Sequence, residues 1–405
     1  MYPNGSTACN VIGFAQKDGS AGSGGIEQYY NSSLVGNNGR EYGYLTSDSN
    51  LERVIKPAQN GNTVVSTIDL NIQKICEKYI DEWQAGIGSN VAAAIVMDPK
   101  TGEILAMDTS TRYDLNNPYD LSGYYSQEEI NAMDDKAKSE AWYKMWRNFC
   151  VSDTFEPGSP QKAFTVAGAI EEGAITGYET FECGGRQKMD DRWTIRCVAR
   201  SGHGPLTVTQ GLMKSCNIVM MNIVRLEGKE KFTKYQSIFG FGSKTGIDLP
   251  GEADTSGLVY RADNMGPVDL ATNAFGQNYN CTMIQMAAGY CSLINGGSYY
   301  EPHVVRRILN DQGAVVKKNE PKLVRETVSE NTSNYINNRS IRLFPATEVR
   351  QGPRPWQDIR WQERRNGSEA AERSQKLSGI VYRLCAGLRS AGSRLRGFGH
   401  TEPSG

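Results

Sequence analysis

Apolar residues along this chain recur at periods that change from segment to segment, and those periods place the elements. Residues 64–70 alternate apolar and polar as a half-buried strand does, and 71–84 follow with Ile72, Ile75, Cys76, Tyr79 and Ile80 at helical spacing. Two short apolar runs, 91–97 and 103–107, are joined by Asp98-Pro99-Lys100-Thr101-Gly102, a connection of turn formers that predicts a central antiparallel hairpin. Residues 125–149 carry a helical pattern, 163–172 and 207–226 predict apolar helices, and 282–294 predict another buried one. Residues 1–60, rich in Gly, Asn and Ser with short apolar pieces, predict loops and the tail end of a domain. No run approaches the roughly 18 consecutive apolar residues that span a bilayer.

Composition adds a boundary that periodicity alone does not show. The 405 residues, 39% hydrophobic and 22% charged, suffice for two or three domains with a real core, and a net charge of −1 gives no reason to expect nucleic acid as a partner. Yet residues 1–337 hold 18 Lys and 13 Arg and a net charge of −8, whereas 338–405 hold one Lys, Lys376, with 12 Arg and a net charge of +7. The basic-residue usage inverts near residue 337. Three His and nine scattered Cys form no C-x-x-C pair and no H-E-x-x-H, which speaks against a zinc enzyme; no metal or cofactor is expected.

The candidate chemistry lies at Gly158-Ser159-Pro160-Gln161-Lys162. Gly158 and Pro160 mark a loop and a first helical turn, so the Ser159 hydroxyl sits at a helix N-terminus with Lys162 one turn on and on the same side. A serine hydroxyl is a weak nucleophile at neutral pH, and a desolvated, neutral lysine can take its proton. Backbone N–H groups at the same terminus can help to hold a developing oxyanion. Alone, S-x-x-K is weak, because it also marks ordinary solvated helix starts. Lys214-Ser215-Cys216-Asn217 then opens onto a second apolar run; Ser215 can relay a proton to Lys162, and the Asn217 amide can orient that lysine and bind a substrate carbonyl. The plain alternative is a Ser/Asn helix cap.

Five segments, in order, carry a resemblance: EPGSPQKAFTVAGAIEEG, SGHGPLTVTQGLMKSCN, FGFGSKTGIDLPGE, GQNYNCTMIQMAAGYCSLINGG and SYYEPHVVRRI. Residues 1–337 resemble class B penicillin-binding proteins, the peptidoglycan D,D-transpeptidases, especially their division and sporulation branch. The resemblance implies an α/β (α+β) transpeptidase fold shared with serine β-lactamases, a central antiparallel sheet flanked by helices. It implies Ser159 as the acylated nucleophile, Lys162 as its base, and Ser215 and Asn217 as the second motif. The substrates it implies are peptidoglycan stem peptides, with β-lactam antibiotics as inhibitors, a cell-wall glycosyltransferase as partner, and a parent anchored in the cytoplasmic membrane with its catalytic domain outside. Two other readings share the motifs: a non-catalytic penicillin-fold sensor and a serine β-lactamase, the latter disfavoured by the long N-terminal region and the IDLPGE turn. With the parent outside the membrane, Cys183 and Cys197, fourteen apart across a turn-rich segment, are either a disulfide or two free thiols.

The third family motif, K-[TS]-G on a cleft-lining strand, should follow all five segments. Lys244-Thr245-Gly246 spells it but precedes GQNYN and belongs to the IDLPGE turn, and no K-T-G follows Thr327. Back-translated with permitted codons and shifted by one base, residues 368–388 read AKLPRDRKNYLVSFIGFAPA, similar to the family's closing strands, although the K-T-G itself recovers only imperfectly. The expectation is therefore a remnant of an N-terminal pedestal domain over 1–60, an incomplete transpeptidase domain over 61–337 that lacks its C-terminal strands, and an out-of-frame, weakly packed tail over 338–405. Such a chain, truncated at its N-terminus and without its anchor, is expected to be inactive. The rival for the tail is a basic RNA-binding arm with Trp356 and Trp361 as stacking residues.

Overall fold

The computed structural model describes residues 1–16, 19, 21–45, 51–189 and 193–343. Its centre is the expected hairpin: strand β1 (Thr63–Ser66) and helix α1 (Leu70–Gly86) lead into β2 (Ala93–Met97) and β3 (Ile104–Thr109), which pair antiparallel with Ile95 opposite Met107. Asp69 starts α1 by accepting hydrogen bonds from the N–H groups of Asn71 and Ile72. Alternate residues of β2 serve two cores. Ala94 and Val96 pack with Ala106 against Cys76 and Ile80 of α1, while Ala93, Ile95 and Met97 pack with Met283, Ile284 and Ala287 of a long apolar helix, Met283–Ile294. Burial on both faces explains why 91–97 is a continuous apolar run rather than an alternating one. Where α1 meets the hairpin, fully buried Gln73 accepts the Met107 N–H at 3.0 Å.

Several segments differ from expectation. Residues 1–60 contain short helices (Cys9–Ile12, Gly25–Tyr29, Asn31–Leu34) and a hairpin, Arg40–Leu45 with Leu51–Lys56. Ala8, Val11, Ile26 and Tyr30 share the apolar core of the β2–β3 hairpin, and the Tyr30 hydroxyl donates to Asp248 at 2.7 Å. The helical pattern of 125–149 is cut into Gln127–Ala132, Asp135–Trp146 and Phe149–Ser152, because Ser126, Asp134 and Asn148 each cap a new start. The expected helix over 207–226 is two helices with a break at the second motif. The backbone of the helix Glu330–Leu343 runs six residues past Asn337, into the start of the expected weakly packed tail. The remaining tail expectations, Trp356, Trp361 and Lys376 included, lie outside the described residues. Among the described residues no further strand pairs with the free edge of β2, and no helix is long and apolar enough to cross a membrane.

Candidate active site

Two glycines shape the turn that presents Ser159. Gly158, at φ +63°, donates its N–H to the Gly276 carbonyl at 2.7 Å, and Gly276 lies at φ +83° with its Cα so near that a Cβ there would sit 2.0 Å from the Gly158 oxygen. Helix α2 (Gln161–Glu171) starts directly afterwards, its first turn tightened by Gln161 N–H to Gly158 O (3.0 Å) and Lys162 N–H to Ser159 O (3.1 Å). The Tyr279 and Tyr290 hydroxyls pin this turn by donating to Gln161 Oε1 and to the Pro160 carbonyl. Every residue from Gln161 to Ala169 is buried, so α2 is a core helix carrying a reactive tip.

Two short ribbons and the junction of two helices supply the facing wall. Strands β4 (Thr180–Cys183) and β7 (Gly204–Thr207) pair with each other, as do β5 (Arg186–Lys188) and β6 (Thr194–Arg196). Helix α3 (Val208–Met213) then stops, Ser215 takes a left-handed backbone (φ +49°), and α4 (Asn217–Glu227) begins. A non-glycine residue in that region is uncommon and strained. The bend turns Ser215 and Asn217 toward Lys162.

The structure brings all four sequence-predicted side chains together. The Ser159 and Ser215 hydroxyls share a hydrogen bond of 2.8 Å. Lys162 Nζ lies 2.8 Å from Ser215 Oγ, 2.7 Å from the Ser215 carbonyl, 2.8 Å from Asn217 Oδ1 and 3.4 Å from Ser159 Oγ. Asn217 Nδ2 in turn donates to the Arg196 carbonyl at 3.4 Å. Lys162 is only 3% exposed, and burial lowers its pKa to about 7. No carboxylate is hydrogen-bonded to it among the described residues. An amine half neutral at physiological pH has a lone pair for a serine proton while its own N–H groups remain on the Ser215 and Asn217 oxygens.

Lys244-Thr245-Gly246 does other work. Glu252 accepts hydrogen bonds from the Thr245 N–H (2.6 Å), Thr245 Oγ1 (2.7 Å) and the Gly246 N–H (3.2 Å), which closes a turn, and Asp248 just beyond it accepts the N–H groups of Val304 and Val305. The segment is not a strand.

The disulfide alternative is overturned: Cys183 and Cys197 are free thiols. Cys183 meets His203 (Sγ–Nδ1 3.5 Å), and Cys197 meets His203 (3.7 Å) and Cys216 (Sγ–Sγ 3.6 Å), so both sulfurs face a shared point instead of each other. Sequence reasoning passed over His203 and Cys216. The available signal was three Cys and one of only three His within residues 183–216.

Residues 92–344 match the family model of the penicillin-binding protein transpeptidase domain. The chain belongs to this family. It is 33% identical over 343 residues to stage V sporulation protein D of Bacillus subtilis, a match covering 83% of this chain and 49% of that protein. It is 28% identical over 392 residues to penicillin-binding protein PbpB of Mycolicibacterium smegmatis, covering 94% and 56%. It thus spans about half the length of the curated relatives it matches. The crystal structure of penicillin-binding protein 3 from Mycobacterium tuberculosis in complex with aztreonam superposes with a TM-score of 0.69 at 26% identity, over 85% of this chain and 68% of that one. The mixed α/β transpeptidase fold follows.

Proposed function

We propose that the chain is the catalytic part of a class B peptidoglycan D,D-transpeptidase with Ser159 as its nucleophile. The observation that carries this reading is buried Lys162, held within hydrogen-bond distance of Ser215 and Asn217 and 3.4 Å from the Ser159 hydroxyl. Neutral Lys162 takes the Ser159 proton, directly or through Ser215, as Oγ adds to the penultimate D-Ala carbonyl of a stem peptide. The terminal D-Ala leaves with that proton, and the acyl group remains on Ser159 as an ester. The amine of a neighbouring strand attacks this ester, loses its proton to the same base and restores the serine. A β-lactam acylates Ser159 by the first half of the sequence. The protein works outside the cytoplasmic membrane beside a cell-wall glycosyltransferase.

A strand carrying the third motif completes such a cleft, and the inverted Lys/Arg usage after residue 337 supports a change of reading frame near Asn337. The nucleotide sequence across that codon tests the frame. For function, a frame-restored chain is given a stem pentapeptide and an acceptor amine. D-Ala release together with acceptor adduct, both abolished in Ser159→Ala, is the expected result. Stable acylation without release indicates a sensor instead, and release unchanged in Ser159→Ala contradicts the assignment.

A further inference from the structure

Cys183 ends β4, Cys197 follows β6, His203 precedes β7 and Cys216 immediately precedes α4. Their four ligand atoms all lie within 4.8 Å of one another. Cys183, Cys197 and Cys216 are nearly inaccessible, at 1%, 2% and 0% exposure. His203 Nδ1 lies 3.5 Å from the Cys183 sulfur and 3.7 Å from the Cys197 sulfur, and the Cys197 and Cys216 sulfurs are 3.6 Å apart. A tetrahedral zinc with Zn–S near ~2.3 Å and Zn–N near ~2.0–2.1 Å puts its sulfurs about 3.8 Å apart and sulfur about 3.6 Å from nitrogen. These three contacts match the edges of that polyhedron, and all four ligand atoms stay within 4.8 Å of one another, whereas a disulfide needs sulfurs at about 2 Å.

We propose that Cys183, Cys197, His203 and Cys216 form a structural zinc site. With four protein donors the coordination sphere is closed, so the ion holds structure and does not activate water. Three thiolates and one imidazole are a soft donor set, suited to zinc rather than to magnesium or calcium. The backbone N–H groups of Ala199, Asn217 and Ile218 point at the Cys197 sulfur, the kind of outer support that metal-bound thiolates receive. Binding exchanges three thiol protons for one Zn²⁺ and involves no redox step.

The surrounding architecture gives the ion something to hold. β4 with β7 and β5 with β6 are two-stranded ribbons, and such ribbons are marginal on their own in water. The site ties both ribbons to the start of α4. Cys216 stands between Ser215 and Asn217, so the same anchor fixes the bend that aims those two side chains at Lys162. The absence of C-x-x-C and H-E-x-x-H does not reveal the site, because its ligands are spread over the end of β4, the residue after β6, the residue before β7 and the cap of α4.

The test is elemental analysis of the full chain purified without chelator and resupplied with zinc. One zinc per chain is expected, with iron and copper absent, and cobalt exchange should give thiolate charge-transfer bands and the intense visible bands of a tetrahedral ion. Cys183→Ser and His203→Ala should each weaken zinc binding by about tenfold or more, whereas Cys76→Ser, in the hairpin core, keeps full stoichiometry. Zinc should also raise the melting temperature of the wild-type chain and a chelator lower it. Wild-type chain without zinc, zinc unaffected by both site variants, or a Cys183–Cys197 disulfide in peptide maps after zinc supplementation overturns the proposal. These readouts do not depend on transpeptidase activity, so they stand or fall apart from the role of Ser159.

Discussion

Glu227 closes the helix whose other end carries the second motif. It is buried, both of its oxygens lack a hydrogen-bond partner among the described residues, and Gly168 of α2 is so close that a Cβ there would meet Glu227 Oε1 at 3.2 Å. Burial, reinforced by the charge of Glu172 and opposed by Lys231, raises its pKa from 4.5 to about 8. The sign follows from linkage. A folded pKa above the unfolded one means that the native state holds the proton more tightly, so the contribution is fully present below pH 4.5 and is lost as pH rises toward 8. Each pH unit in that window costs about 1.4 kcal/mol, giving roughly 5 kcal/mol across the window and about 3 kcal/mol at pH 7. Glu227→Gln abolishes the titration but leaves a buried amide, a cost of about 1–3 kcal/mol that does not vary with pH. The stability difference between Glu227→Gln and wild type should therefore climb in favour of the variant from pH 5 to pH 8. Urea unfolding followed by circular dichroism at four pH values measures it. A difference constant with pH would refute the reasoning.

Three further outcomes follow from the same contacts. With Lys162 near pKa 7, its neutral fraction goes from about a tenth at pH 6 to about nine-tenths at pH 8, so the acylation rate of frame-restored protein by a fluorescent penicillin should rise roughly tenfold over that range; a flat profile would count against Lys162 as the base. Gly276→Ala should cost roughly 1–3 kcal/mol and slow acylation without touching Ser159, because the new Cβ both strains a φ of +83° and collides with the Gly158 carbonyl; unaltered kinetics would show that the turn tolerates the shift. Arg112 bridges Asp108, whose side chain is 1% exposed, to Asp81 and to the Glu77 carbonyl. Arg112→Leu should cost about 3–5 kcal/mol. The loss should be greater at pH 8 than at pH 5, since burial already lifts Asp108 to about 6 despite the guanidinium, and thermal melts at both values decide it.

The hairpin, α1, α2 and the Met283–Ile294 helix were legible in sequence because each has a long apolar pattern with clear breakers at its ends. The two serines, Lys162 and Asn217 were legible because S-x-x-K and S-x-N are local signals, each confined to one helix start. What could not be read were features made by distance. The bend at Ser215 falls inside an apolar stretch that periodicity alone joins into one helix, and left-handed Ser215 followed by extended Cys216 separates α3 from α4. The packing of Ala8, Val11, Ile26 and Tyr30 onto the hairpin core brings together residues remote in sequence, which composition rich in Gly and Asn concealed. The Cys183, Cys197, His203 and Cys216 cluster has no fixed spacing and emerges only when two ribbons fold onto α4.

The role of Ser159 is tested most directly by the site of acylation. Frame-restored protein is incubated with a penicillin, digested, and sequenced by mass spectrometry. Opening of the β-lactam ring expels no fragment, so the expected product carries the whole drug on a single peptide, at Ser159, and Ser159→Ala carries none. A drug adduct on any other residue, or one that persists in Ser159→Ala, would contradict the assignment of Ser159 as the nucleophile.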